Sequence, residues 1–193
     1  MQQPLPNRRS IRLQGYDYSG EGLYFVTICV QDMKCLFGKV VDGEVILNDA
    51  GKIAKQCWLD IPTHFPHVTI HEFIIMPNHI HGILEITQSV GVNNHSPDKD
   101  DIPSFKSPSK TIGSVIRGFK IGITKWFRNN QRTNNYSSLK PTKSIWQRNY
   151  YEHIIRNNTS YMNIAKYIQS NPENWVTDDY YSLTDNCLLT TAN

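Results

Sequence analysis

Two β-prone runs, HVTIHEFIIM (67–76) and HIHGILEIT (79–87), are separated by nothing but Pro77 and Asn78. So short a connection joins antiparallel strands, because a parallel pair needs a crossover of about a dozen residues or more. Whatever else the chain folds into must accommodate an antiparallel pair near its middle. Along the second run, strand alternation puts His79 and His81 on one face and Ile80 and Gly82 on the other. One face can pack while the other offers two neutral nitrogens. Those nitrogens suit a metal ion, or the hydrogen bonds of a half-exposed strand.

The flanking sequence supplies the partners. LYFVTICVQ (23–31) is rich in β-branched and aromatic residues and reads as a strand. GKVVDGEVILN (38–48) carries an Asp-Gly turn and reads as a small hairpin. Asn48 can cap a helix whose apolar residues Ile53, Ala54, Cys57, Trp58 and Ile61 recur at helical spacing. Residues 88–109 are polar and rich in Pro and Ser, as a loop or disordered insert would be. From Thr111 to Asn129, Ile112, Val115, Ile116, Phe119, Ile123 and Phe127 mark one helical stripe. SIWQRNYYEHIIR (144–156) reads as a strand, and a helix from about Ser160 to Asn171 is stopped by Pro172.

Without the small hairpin, the order is β-α-β-β-α-β. It predicts an α+β fold, a ferredoxin-like antiparallel sheet with packed helices, followed by a C-terminal helix. A chain of 193 residues suits one such domain. The expected domain is 1–176, with 88–110 as a flexible insert and 177–193 as a C-terminal tail.

Charge is unevenly spread. Between Ile102 and Tyr151 there is no Asp or Glu, yet the window holds half of the chain's 20 Lys and Arg. Lys110, Arg117, Lys120, Lys125, Arg128 and Arg148 lie there, and Arg8, Arg9 and Arg12 add a basic N-terminal arm. Such asymmetry points to a polyanion, since Lys and Arg gain affinity by releasing counterions from phosphates. Trp126, Trp146 and Tyr136 are interleaved with these cations and can stack on bases, although burial is the commoner fate of the two tryptophans. No run of 18 apolar residues exists to span a membrane, and the first 15 residues lack a secretory signal's apolar centre. The four cysteines form no C-x-x-C pair, and the expectation is an intracellular chain with reduced thiols.

On the terminal helix, Tyr167 and Asn171 are four residues apart and share a face. Tyr161, Ile164, Ala165 and Ile168 form the apolar stripe, which leaves Tyr167 and Asn171 at its rim. The bland alternative is an amphipathic helix that closes its apolar edge with tyrosine. Tyr150 and Tyr151 compete for any nucleophilic role, and Tyr151 and His153 share a strand face from which they can support a site.

A His-x-His strand, a basic region and a late Tyr-x-x-x-Asn helix together resemble the single-tyrosine HUH transposases, in particular the REP-associated tyrosine transposase branch. The likeness is carried by RRSIRLQGYDYSGEGLYFVTICVQD, MPNHIHGIL, IWQRNYYEHIIRN and YIQSNP, from about Asn7 to Trp175. The resemblance implies an endonuclease and strand transferase acting on single-stranded or hairpin DNA through a 5′-phosphotyrosine, with release of a 3′-hydroxyl. It implies Tyr167 as nucleophile and His79, His81 and Asn171 as ligands of Mg or Mn. It also implies a monomer or homodimer in the cytoplasm at the nucleoid. The chemistry is sound on general grounds: a metal can polarise a phosphate oxygen, and a phenol of pKa about 10 needs nearby positive charge to attack. Two rivals are a nucleic-acid-binding module without catalysis and a zinc-dependent hydrolase, the latter lacking a helical H-E-x-x-H pattern.

Overall fold

The computed structural model describes residues 20–87, 110–130 and 144–181. The insert at 88–109 and the arm carrying Arg8, Arg9 and Arg12 lie outside them, as does Tyr136. Strand β1 (Gly22–Cys29) leads to the hairpin β2 (Gly38–Val41) and β3 (Glu44–Leu47). Asp42 and Gly43 both take positive φ, 51° and 78°, as the tight Asp-Gly hairpin turn requires. Asn48 accepts a hydrogen bond from the Gly51 amide and starts α1 (Asp49–Leu59), which α2 (Ile61–His64) follows after a break at Asp60. Then come β4 (Val68–Ile75), β5 (His79–Ile86), α3 (Ile112–Asn130), β6 (Tyr151–Ile155) and α4 (Asn158–Ser170), the last capped by Asn157.

The four long-range strands form one antiparallel sheet in the order β4-β5-β1-β6. This is the ferredoxin-like α+β order expected from the sequence. Alternation sorts the side chains into two layers. Tyr24, Val26, Ile28, Ile80 and Leu84 face α1 and α3 in the main core, with Trp58 fully buried among them. Gly82 is required at that contact, since a Cβ there would lie 2.3 Å from Cζ2 of Trp58. On the other face Phe25, Ile83 and Ile155 pack against Ala165 and Ile168 of α4. The Tyr161 hydroxyl donates to Glu72 at 2.5 Å and anchors the start of α4 at a bulge in β4.

Two expectations need correction. The strand read over 144–156 is confined to Tyr151–Ile155, and before it only an isolated bridge joins Trp146 to Val30. The Lys120 ammonium donates to the carbonyls of Gln147 and Asn149, which takes those acceptors out of any sheet ladder. Cys29 and Cys57 are free thiols, but Cys35 is disulfide-bonded, so the reading of uniformly reduced thiols does not hold. Among the described residues no helix is long and apolar enough to cross a membrane.

Candidate active site

The Pro-Asn turn does more than reverse the chain. Asn78 is fully buried, and its amide nitrogen donates to the carbonyls of Met33 and Tyr180. Its Oδ1 therefore accepts from His79 Nδ1, 2.8 Å away, which fixes the Nδ1–H tautomer and leaves Nε2 as a bare lone pair. One strand over, Thr27 Oγ1 lies 2.9 Å from His81 Nδ1 and also bonds the Tyr180 phenol oxygen. A hydroxyl that gives its proton to Tyr180 accepts from His81 Nδ1–H, so Nε2 of His81 is bare as well. The imidazoles sit 4.4 Å apart between ring centroids, with 0% and 1% exposure. Burial holds both neutral: His79 is lowered to about 3, and His81 well below the ordinary value with the neighbouring imidazole adding to the effect.

Helix α4 brings the second half. Tyr167 is 41% exposed, and its hydroxyl lies 3.2 Å from His81 Nε2. Asn171, placed at the helix rim by periodicity alone, is in fact buried to 1% exposure. Its Oδ1 has no hydrogen-bond partner, and neither has His79 Nε2. The two are near enough that a protonated His79 would bond Asn171, yet as neutral groups both are acceptors and neither satisfies the other. Facing lone pairs in a buried site call for a cation between them. Asn171 Nδ2 donates at 2.5 Å to Asp178, whose other oxygen accepts from the Tyr180 amide. His79, His81 and Asp178 offer ligand atoms that all lie within 4.8 Å of one another. Two imidazole nitrogens with amide and carboxylate oxygens form a donor set that suits Mn or Mg.

Burial raises the Tyr167 phenol pKa, and the charge of Asp178, with Tyr180, Asp179 and an Asp178 hydrogen bond, raises it further.

Sequence reasoning had named Tyr167, His79, His81 and Asn171, and the fold brings all four together. It missed Asp178 and Tyr180, which lie in the segment read as a tail, and the supporting pair Asn78 and Thr27. Asn78 stood in plain view within MPNHIHGIL. For Asp178 the nearest signal was Trp175, an apolar anchor beyond the helix stop, here buried at 4% beside Cys35, Val40 and Met76. Tyr151 shares the face of Thr27 and is 47% exposed, edge-on to Phe25, while His153 is exposed opposite Phe25. Arg117, Lys120, Lys125, Arg128 and Arg148 instead line one cavity against α3. Lys110 stands apart at the start of α3, within electrostatic range of His67.

No protein-family model matches the chain. An uncharacterized protein of Haemophilus influenzae is 47% identical over 178 residues, covering 91% of this chain and 93% of its own length. A second protein of that bacterium, named "Putative REP-associated tyrosine transposase", is 27% identical over 157 residues, covering 81% and 73%. Among solved structures, a REP-associated tyrosine transposase bound to a REP hairpin matches with a TM-score of 0.49 at 18% identity, covering 98% of each chain. The chain belongs to one family with the 47% identical Haemophilus protein, and over most of its length it is similar to the putative REP-associated tyrosine transposase.

Proposed function

We propose that the protein is a single-strand DNA endonuclease and strand transferase that cleaves hairpin-associated DNA with Tyr167 as nucleophile. The observation that carries this reading is the Tyr167 hydroxyl, 3.2 Å from His81 Nε2 and beside the unpartnered His79 Nε2 and Asn171 Oδ1. A divalent ion held by His79, His81 and an oxygen of Asn171 or Asp178 supplies, when bound, a Lewis acid for a phosphate oxygen and positive charge beside the phenol. Tyr167 gives up its proton to the Asp178 carboxylate that it already hydrogen-bonds, and its oxygen attacks the scissile phosphorus. A bond forms between the phenol oxygen and phosphorus, and the phosphorus–O3′ bond breaks. The 3′ oxygen takes a proton from solvent, leaving a 3′-hydroxyl and a 5′-phosphotyrosine. Attack by a 3′-hydroxyl reverses the step and rejoins DNA with no nucleotide cofactor. Helix α4 fixes the ring because Ile168 and Ala165 are packed under the sheet, so the nucleophile is held and not searched for.

The test is a covalent adduct. Labelled hairpin DNA with a single-stranded flank, incubated with Mn, should yield a denaturant-resistant protein–DNA species whose peptide mass maps to Tyr167. Tyr167→Phe keeps the ring and its packing, so it should bind the DNA normally and form none. Tyr150→Phe and Tyr151→Phe should retain the adduct. If the wild type binds hairpin DNA but never forms the adduct, the protein is the non-catalytic binding module.

A further inference from the structure

Tyr167 does not hold itself in place. Its ring is 41% exposed, and it meets the sheet at His81 and at the edge of Phe25. The position of its hydroxyl is therefore set by the seat of α4. That seat is narrow, since of the helix's 13 residues Ala165 and Ile168 alone are buried. Apolar contact is non-directional, so two such residues resist lifting of the helix better than rolling or sliding.

Polar bonds supply direction at the start of the helix. Between Ile70 and Phe73, β4 carries a bulge in which His71 and Glu72 stand against the single residue Ile83 of β5. Ile70 and Phe73 are three apart, yet both pack against the main core, which strict strand alternation forbids. The extra residue turns His71 and Glu72 together towards α4, where both reach one hydroxyl. Tyr161 donates to Glu72 at 2.5 Å, and His71 Nδ1 lies 3.3 Å from the same phenol oxygen. On its other side, His71 Nε2 lies 2.9 Å from Glu85 Oε2 of β5.

We infer that Tyr161, Glu72 and His71 form a latch that sets the roll and reach of α4, which makes Tyr161 a positioning residue for attack by Tyr167 and rests on Tyr167 being the nucleophile. Tyr161 precedes Tyr167 by six residues, about 9 Å along the axis, so a shift at the latch is carried to the nucleophile by continuous helix. The groups that face His71 are Glu72 of its own strand, Glu85 of β5 and Tyr161 of α4. The Glu72 bond, burial and the charges of Glu72 and Glu85 push the Tyr161 phenol up to about 12, so it keeps its one proton and gives it to Glu72. Its oxygen then faces His71 as an acceptor, as the Glu85 carboxylate does on the far side. All three bonds form together when His71 carries both ring protons, an imidazolium between two carboxylates. A neutral His71 gives up one of them, so the latch is complete at acid pH and loosens as that proton leaves.

The experiment follows adduct formation in a single turnover, with Mn and saturating hairpin DNA bearing a single-stranded flank, at a temperature where every variant is folded. Tyr161→Phe keeps the ring and removes the hydroxyl. It should leave DNA affinity unchanged and slow the adduct about tenfold, less than the hundredfold of a 1 Å misplacement. Glu72→Ala should be as slow, and Glu72→Gln, which still offers Tyr161 an oxygen, should recover most of the rate. Trp58→Phe loosens the opposite face and should react as the wild type does, which separates seating from stability in general. His71→Gln is neutral at every pH, so the wild type's rate advantage over it should shrink about threefold between pH 5.5 and 8. A second readout needs neither DNA nor metal: nuclear Overhauser contacts between the Tyr167 and Phe25 rings, whose centroids are 6.3 Å apart, should weaken in Tyr161→Phe. A wild-type rate in Tyr161→Phe would overturn the latch, as would ring contacts that stay at full strength. A rate ratio that does not move with pH would strike His71 from it. Absence of any adduct in the Mn-loaded wild type is failure of the transposase reading instead, and the ring contacts then decide the latch alone.

Discussion

Along β5, Ile80, Gly82 and Leu84 point one way and His79 and His81 the other, and every one of them is buried. On the first side they meet Trp58 and the stripe of α3, a close-packed core in which even a methyl on Gly82 has no room. On the second they meet Thr27, Asn171 and Tyr167, where burial serves to strip water from lone pairs. Each side holds unmet polar atoms, and the difference between them is instructive. Trp58 Nε1 is a buried donor without a partner, alone among carbons, and is a packing compromise costing about 1–3 kcal/mol. His79 Nε2 and Asn171 Oδ1 are acceptors turned towards each other. An isolated orphan marks a cost of packing, whereas facing orphans of the same kind mark a place for a ligand.

The sharpest way to break this contrast is to cut into each side. Trp58→Ala should cost about 3–5 kcal/mol of stability in urea or guanidinium unfolding, the range for removing a large buried aromatic. His79→Ala should cost less than about 2 kcal/mol, because the cavity it opens is offset by removal of a bare nitrogen held away from water. Equal losses would mean that the histidine face is core like the other.

Metal provides the next largest effect, and only one side should feel it. Mn at 100 times its dissociation constant should stabilise the wild type by about 2.7 kcal/mol. His79→Ala and His81→Ala should lose that gain while Trp58→Phe keeps it, read as the Mn-dependent shift in melting temperature. Asp178→Asn resolves the ligand set: a retained shift assigns the oxygen to Asn171, and a lost one assigns it to Asp178. A shift that survives in both histidine variants would remove the metal from this face altogether.

The two sides were also unequally legible. The core face was written in short-range signals: the two-residue turn at Pro77-Asn78, Asp42-Gly43, the cap at Asn48 and a six-residue apolar stripe on α3. Each acts within one element, so periodicity and turn chemistry suffice. Half of the site was equally local, since strand alternation pairs His79 with His81 and helical spacing pairs Tyr167 with Asn171. What could not be read is what returns from a distance. Asp178 and Tyr180 reach the imidazoles because Trp175 is buried with Met76 and Val40, and Asn78 holds the Tyr180 carbonyl. None of those contacts leaves a period in the sequence. The shortened β6 has the same origin, because Lys120, a residue 27 positions before Gln147, captures carbonyls that a strand would need.

Lys120 also supplies the smallest and most discriminating test, because it is the one lysine of α3 tied down beside the apolar side. Burial lowers its pKa to about 8 from an ordinary 10.5, with a weaker opposing influence from Cys29. The folded protein therefore gives up this proton before the unfolded chain does. Above about pH 8 the unfolded state binds more protons at this site, so stability rises with pH until the unfolded lysine also titrates near 10.5. Cys29 acts in the opposite sense, because burial raises its pKa from 9.0 to about 11, but that loss develops mainly above pH 9. The window from pH 7 to 9 isolates the lysine. Over it, the stability of the wild type relative to Lys120→Met should increase by about 1 kcal/mol in guanidinium unfolding. The neutral amine still donates to the Gln147 and Asn149 carbonyls, so the gain reports relief of a buried charge and not loss of the tether. An equal stability difference at both pH values would show that the ammonium is well solvated, and that the apolar side tolerates charge as readily as the histidine side.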